Sequence, residues 1–387
     1  MRPGGSITSR VLRTLEEIEA IADAWRGLER HCADPLGYFQ SYDWCSNWVR
    51  QFGHEHKPYV VTLWRGEVLV AIWPRMIVEL AGIRRLETLG APHSQYCGAL
   101  VRRDGTPVVE IARHLRTAVR ASKCDVTISR AVPEGTMLAE ILADKAEIRG
   151  STNMASMLDL SGFASAEDYT ARLGKLQKRN RNRRRNHLAR LGELRFEVIW
   201  PDHPDFAGLV RECAAMKRRW LAETGRFSTG FSMGGYEDFL VALDGDAGRL
   251  SGACLSVLRV GDKVAALELG FIRHRHYYAY IGGFDWDLRD LSPGKVQMDL
   301  TVGWLIDKGV GAYDLLINPA DYKASWTNKA VAVKSRAEAL SWRGRLYASA
   351  WLPSLRPALK QLHGQLPLLM GRFAGLLKPA VCLLLYV

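Results

Sequence analysis

Apolar residues recur at helical spacing in some stretches of the chain and cluster or alternate in others. Leu15, Ile18, Ala22 and Trp25 predict a helix over 11–31, and Trp44 and Trp48, four apart, a second over 38–52. β-Branched and aromatic runs at 59–65 and 68–78, parted by Gly66-Glu67, predict a hairpin. Shorter apolar runs at 84–89, 98–101 and 124–129 read as strands, and 108–122 reads as a helix. Helices, a hairpin and further strands in this order predict a mixed α/β domain over 1–160.

A similar order follows in the C-terminal half. Residues 194–199 predict a strand, 206–224 and 236–243 helices, and 250–259 with 263–273 a hairpin across Gly261-Asp262. An aromatic strand at 277–284 ends on Gly282-Gly283. The turn Ser292-Pro293-Gly294 then opens a helix that runs to Asp307. A strand at 312–317, a short helix or turn at 322–327 and a strand at 334–341 complete a second domain over 194–350. The shared order suggests duplication, although no residue-level repeat is visible.

Charge changes the picture at the joint. Of 53 Lys and Arg against 41 acids, nine lie between Arg172 and Arg190, where there is no acid. Three quarters of the +12 net charge therefore belongs to one segment. Over 161–193 a thin stripe of Leu173, Leu176, Leu188 and Leu191 predicts one long basic helix joining the domains. Three readings of 172–190 stand: a phosphate-binding face for nucleic acid such as tRNA, a wall facing another anionic partner, or a solvated linker.

Seven cysteines, odd in number and without a CxxC pair, argue against a disulfide framework and a zinc site. A reduced, cytoplasmic protein without a metal is the expectation. Glu16, Glu17 and Glu19 interrupt the N-terminal apolar pattern, so it does not read as a signal peptide. No uninterrupted apolar run is long enough to span a bilayer. The Leu- and Pro-rich tail 351–387 reads either as an amphipathic membrane-surface segment, peripheral to the inner membrane, or as a tail packed on protein.

The chemistry gathers at 278–326. Amides at a helix start lack intrahelical partners and, with the helix dipole, suit a phosphate. Lys295 adds a full charge to the Ser292–Gly294 turn, and the small residues make it a credible diphosphate seat. Polar and aromatic residues just past a strand's C-terminal end commonly line a crevice, which selects Tyr322, Lys323 and Trp326. Chemistry beside such a seat needs groups that take and give a proton. Asp285, Glu268, Tyr280, Tyr322 and Lys323 are the candidates near the seat. Glu268 lies in the apolar strand AALELGF. It reads either as a base with a raised pKa or, sharing a face with Ala266 and Gly270, as an outward position. Asp285 reads as a base or as a turn cap.

The run GFDWDLRDLSPG, the DKG turn, YDLL and DYKASW resemble the CelD-type acyltransferase family of the GNAT superfamily, with a FemAB-like tandem architecture. The segments VLVAIWPRMI and GIRRLETLG and the basic helix agree with it, over roughly residues 20–345. The resemblance implies two tandem GNAT-like domains and an acetyl-CoA or longer acyl-CoA donor. It places the donor diphosphate on backbone amides around Leu291, Ser292, Gly294 and Lys295. Pro293, within that turn, has no N–H to give. Among the candidates near that seat, Glu268, Asp285 and Lys323 are read as the catalytic set, and Tyr280, Tyr322 and Trp326 as acceptor contacts. The acceptor would be a small molecule or a glycan, in polysaccharide or cell-envelope biosynthesis. Two alternatives are an aminoacyl-tRNA donor held by the basic helix and a non-catalytic partner of a polysaccharide-synthesis complex.

Overall fold

The computed structural model describes residues 6–32, 34, 36–103, 106–148, 151–317, 326–349 and 352. The chain divides into two compact units: 1–153 with 229–234 and 332–387, and 154–228 with 235–331.

The first unit holds two sheets. One pairs Ile7–Leu12, Val60–Arg65, Val68–Trp73 and Leu100–Val101 antiparallel in that order. The other runs Lys57–Pro58, Arg75–Leu80, Ile83–Thr88, Val126–Pro133 and then the Lys329–Ala339 strand, with one parallel pair between Ile83–Thr88 and Val126–Pro133. Helices Ala22–His31, Tyr42–Phe52 and Val108–Ala121 bury their apolar stripes, with Trp25, Trp44 and Trp48 fully enclosed. The single helix expected over 11–31 is instead a strand at Ile7–Leu12 and two helices, Leu15–Glu19 and Ala22–His31. Thr14 and Glu17 form a reciprocal capping box that starts the first helix at Leu15, and Ile21, at φ −110° and ψ +15°, interrupts the helical path before Ala22.

In the second unit the sheet runs Leu194–Ile199, Ser251–Val260, Lys263–Arg273, His276–Phe284, Ala312–Asp314 and Asn153–Asp159. The last of these strands has no clear signal in the sequence. The hairpin across Gly261-Asp262 forms as expected, with Gly261 at φ +58°. Helix Phe206–Glu223 covers one face. Gly283 lets it approach, because a side chain there would lie 2.7 Å from the Cys213 carbonyl oxygen. Helix Pro293–Asp307 covers the other face, with proline at its first turn, where the missing N–H costs nothing. It ends at Gly309, φ +72°, whose N–H and that of Val310 return to the Ile306 and Leu305 carbonyls.

The expected long basic helix is two helices, Ala166–Arg172 and Lys175–Ala189, because Leu173 and Gly174 are both extended. Both belong to the second unit. Leu188 is fully buried against Leu258, Ala266 and Val296, which fixes the basic helix to this unit's core. Among the described residues no helix is long and apolar enough to cross a membrane. Of the seven cysteines, the six that are described are free and buried. The strand ending that was expected beyond Ile317, and the 322–327 element up to residue 325, lie outside the described residues.

Candidate active site in the second unit

Two parallel strands part company here. His276, Tyr277 and Tyr278 pair with Ala312, Tyr313 and Asp314, and the pairing then stops. The first strand continues to Phe284. The second turns away: Leu315 N–H donates to the Ser156 carbonyl at 2.9 Å, and Leu316 adopts φ +60°. The Asp314 carboxylate holds that turn by accepting from Leu316 N–H at 2.7 Å. A fork between the C-terminal ends of parallel strands opens a crevice, the usual ligand position in such sheets.

The helix that leaves the fork begins at the Ser292-Pro293-Gly294 turn. Ser292 sits in the left-handed region, φ +57°, ψ +51°, an uncommon conformation for a residue with a side chain. Its N–H donates to Arg289 O at 3.1 Å, and Lys295 N–H turns back to Ser292 O at 3.0 Å. Pro293 has none. Gly294 is therefore the first-turn amide without a backbone acceptor among the described residues. Its Cα faces Phe284 with ordinary clearance, since a side chain there would begin 3.6 Å from the Phe284 ring. Leu291 is half-buried against the Leu188 cluster and contributes packing. Lys295 is half-buried; burial lowers its pKa, and the neighbouring Arg184 cation lowers it further. Burial likewise lowers the Arg184 pKa, together with Arg183 and Arg181. The basic helix thus places a second cation beside Lys295, a contribution that sequence spacing did not single out.

Arg181 works inward. It forms an ion pair with Asp299 of the Pro293–Asp307 helix and donates to the Tyr169 hydroxyl at 2.8 Å. Its guanidinium lies 4.2 Å from the Trp326 ring centroid and 5.1 Å from that of Tyr169. Trp326, expected at an acceptor site, is only 7% exposed and packs with Leu158, Met298 and Val302 under this cation.

Beneath the fork lies Glu268. Alternation along the strand left its face undecided between outward and inward. In the structure it is buried, because the face it shares with Ala266 is the one the Pro293–Asp307 helix covers. Its carboxylate accepts from the Tyr277 hydroxyl at 3.0 Å and from the Tyr313 hydroxyl at 2.8 Å. The two rings, paired across the parallel strands, stack at 5.4 Å and 9°. Gly270 makes room for this, since a side chain there would lie 2.1 Å from the Tyr277 ring. Burial raises the Glu268 pKa to about 7, against the opposing pull of the two tyrosines and Gln297. Gln297, Ser256 and Thr301 bond to one another beside it, so the polar atoms at this depth have partners.

The other candidates separate. The Asp285 side chain accepts from Asp287 N–H at 3.0 Å and caps the 3₁₀ turn Trp286–Leu291, the second of the two roles open to it from sequence. The Tyr280 hydroxyl accepts from Tyr236 at 2.9 Å and is half-buried. On the opposite face, His276 and Asp314 form a buried pair at 3.1 Å. Tyr322 and Lys323 lie outside the described residues. Among the described residues no group of three His, Cys, Asp or Glu is placed to hold a metal ion.

Residues 175–324 match the family model described as acetyltransferase (GNAT) domain, a span that starts at the basic helix and includes the fork, Glu268 and the Ser292–Lys295 turn. No curated protein matches the chain. Among solved structures, the chain is similar to FemX, with a TM-score of 0.59 at 11% identity over 88% of this chain and 98% of that one. It is also similar to the C-terminal domain of a proposed lysylphosphatidylglycerol synthetase from Agrobacterium fabrum, with a TM-score of 0.55 at 14% identity over 86% and 94%. A tandem GNAT protein from the clavulanic acid biosynthesis pathway gives 0.45 at 11% identity over 87% and 99%. The mixed α/β fold is GNAT-like, and the domain match supports an acyltransferase.

Proposed function

We propose that the second unit transfers an acyl group from a coenzyme A thioester to an amine or hydroxyl of a cell-envelope or polysaccharide acceptor. The observation that carries this reading is the fork between His276–Phe284 and Ala312–Asp314, opening beside the Ser292–Lys295 helix start within the span that matches a GNAT domain. The residues there suit an anionic donor: the Gly294 amide, the helix dipole and the Lys295 and Arg184 cations all favour a diphosphate.

The thioester supplies an activated carbonyl carbon. The acceptor nitrogen or oxygen bonds to that carbon, the C–S bond breaks, and the thiolate leaves. The proton lost by the acceptor must be taken up and one returned to the thiolate. Glu268, with a pKa of about 7, is balanced between both states near neutrality. The Tyr277 and Tyr313 hydroxyls hold it in place beneath the fork. Tyr280 is proposed to face the acceptor.

Thiol release from acetyl-CoA and longer acyl-CoA thioesters, with amine and sugar acceptors, tests the activity. Donor binding is tested separately by thermal shift. A donor at 100 times its dissociation constant stabilises by about 2.7 kcal/mol. Gly294→Glu should abolish that shift without unfolding the protein, because the site has steric room and the added charge repels phosphate. An unchanged shift would place the donor elsewhere, and no thiol release with any donor would remove the reading.

The basic helix favours one second reading. Lys175, Arg179, Arg183 and Arg185 remain exposed while Arg181 and Leu188 face inward. An aminoacyl-tRNA donor would use those cations, and its binding would fall steeply with salt. A gel shift that is absent at low salt would leave acyl-CoA as the donor.

A further inference from the structure

We infer that the first unit carries a docking patch for an anionic phospholipid surface, built on helix Trp342–Leu346. This goes beyond the transferase reading and does not depend on it.

The helix is oriented against the usual rule for a solvated surface. Gly344 is its buried position, and just beyond the helix Tyr347, Ala348 and Leu352 pack with Val126, Ile128 and Ala337. Gly344 allows the approach, since a side chain there would lie 1.7 Å from the Asp125 carbonyl oxygen. Ser341 anchors the start by capping Gly344 N–H at 3.1 Å and donating to the Asp125 carboxylate at 2.6 Å. With the inner side fixed in this way, Trp342 and Leu346, one turn apart, face solvent at 72% and 61% exposure. Arg345 is exposed between them, and Arg343 reaches across to the Gly82 carbonyl. Large apolar side chains held outward beside arginines match an interfacial contact, where indole rings favour the boundary between headgroups and acyl chains.

Charge complementarity selects the occupant. The charged side chains of the helix itself are Arg343 and Arg345, with no acid among them. An apolar patch flanked only by cations fits the negative potential of an anionic leaflet. A typical protein surface carries charges of both signs.

Sedimentation of the full chain with vesicles provides the test. The protein should pellet with phosphatidylcholine vesicles that contain phosphatidylglycerol, should not pellet with phosphatidylcholine alone, and should be released by salt. The double change Trp342→Ser, Leu346→Ser should weaken pelleting by about tenfold, given the apolar area withdrawn. Arg345→Ala should weaken it by about fivefold. All positions changed are exposed, and an unaltered thermal melt checks that each variant folds. Three results would overturn the inference: no difference between the two vesicle types, full pelleting by the double variant, or a change in the self-association of that variant without vesicles. The last would make the patch a contact between copies of the chain.

Discussion

The Tyr313 hydroxyl donates to Glu268 at 2.8 Å from a strand 45 residues further along the chain. That bond favours the carboxylate and opposes the burial that raises its pKa to about 7. Tyr313→Phe should therefore raise the Glu268 pKa further. If Glu268 takes the acceptor's proton, the acidic limb of the pH–rate profile should move to higher pH by the same amount. Infrared titration of the carboxyl band reads the pKa independently of activity. A moved band with an unmoved rate profile would assign Glu268 a purely structural role.

The same carboxyl makes a stability prediction. Its folded pKa of about 7 lies above its ordinary value of 4.5, so the fold favours the protonated form. The contribution is fully present below pH 4.5 and is lost as pH rises through 7. Glu268→Gln should remove this dependence and gain roughly 3 kcal/mol relative to wild type well above pH 7. Urea denaturation at pH 5 and pH 9 would show it. Parallel losses in both proteins would refute it.

His93 titrates in the opposite sense. Burial lowers its pKa from 6.5 to about 4, although its bond to the Gly230 carbonyl partly opposes the shift. Trp48 donates to Nδ1 at 3.1 Å, which leaves Nε2–H to donate to Gly230 O at 3.1 Å. The neutral ring is thus the native form, and its contribution is present above pH 6.5 and lost as pH falls toward 4. The loss should approach roughly 3 kcal/mol. His93→Gln should flatten the acid limb of the stability profile. An unchanged limb would show that other groups cause it.

The nine cations of 172–190 should behave unequally. Arg181→Ala leaves Asp299, 31% exposed, without its ion-pair partner and removes the cation packed on Trp326, at a cost of about 2–3 kcal/mol. Arg183→Ala, at an exposed position, should change stability by less than about 0.5 kcal/mol. Equal effects in denaturant midpoints would contradict the placement of Arg181.

Ser292 at φ +57° predicts a gain on substitution. Ser292→Gly should stabilise by about 1 kcal/mol, because glycine enters the left-handed region freely. A loss of stability would mean that the serine side chain makes a contact worth more than the backbone strain.

Much of the fold was legible because its signals are local. The hairpin across Gly261-Asp262, the helix opening at Pro293 and the stop at Gly309 rest on residues within a few positions of one another. Where local signals competed, periodicity misled: the non-helical Ile21 divided one apparent helix, and the extended Leu173 and Gly174 divided another. The short Asn153–Asp159 strand was missed because its pairing with Ala312–Asp314 is long-range.

The sequence by itself determined the mixed α/β order, the concentration of charge in one segment and the choice of the segment around Ser292. Periodicity, composition and turn chemistry are properties of neighbouring residues. Only the tertiary structure decided that Glu268 faces inward to Tyr277 and Tyr313, because alternation names two faces without saying which one a helix will cover. It also selected Arg181 for burial from a row of similar cations, and gave Asp285 to a cap. Each of those outcomes depends on a partner brought close by the path of the chain through space, which spacing along it does not encode.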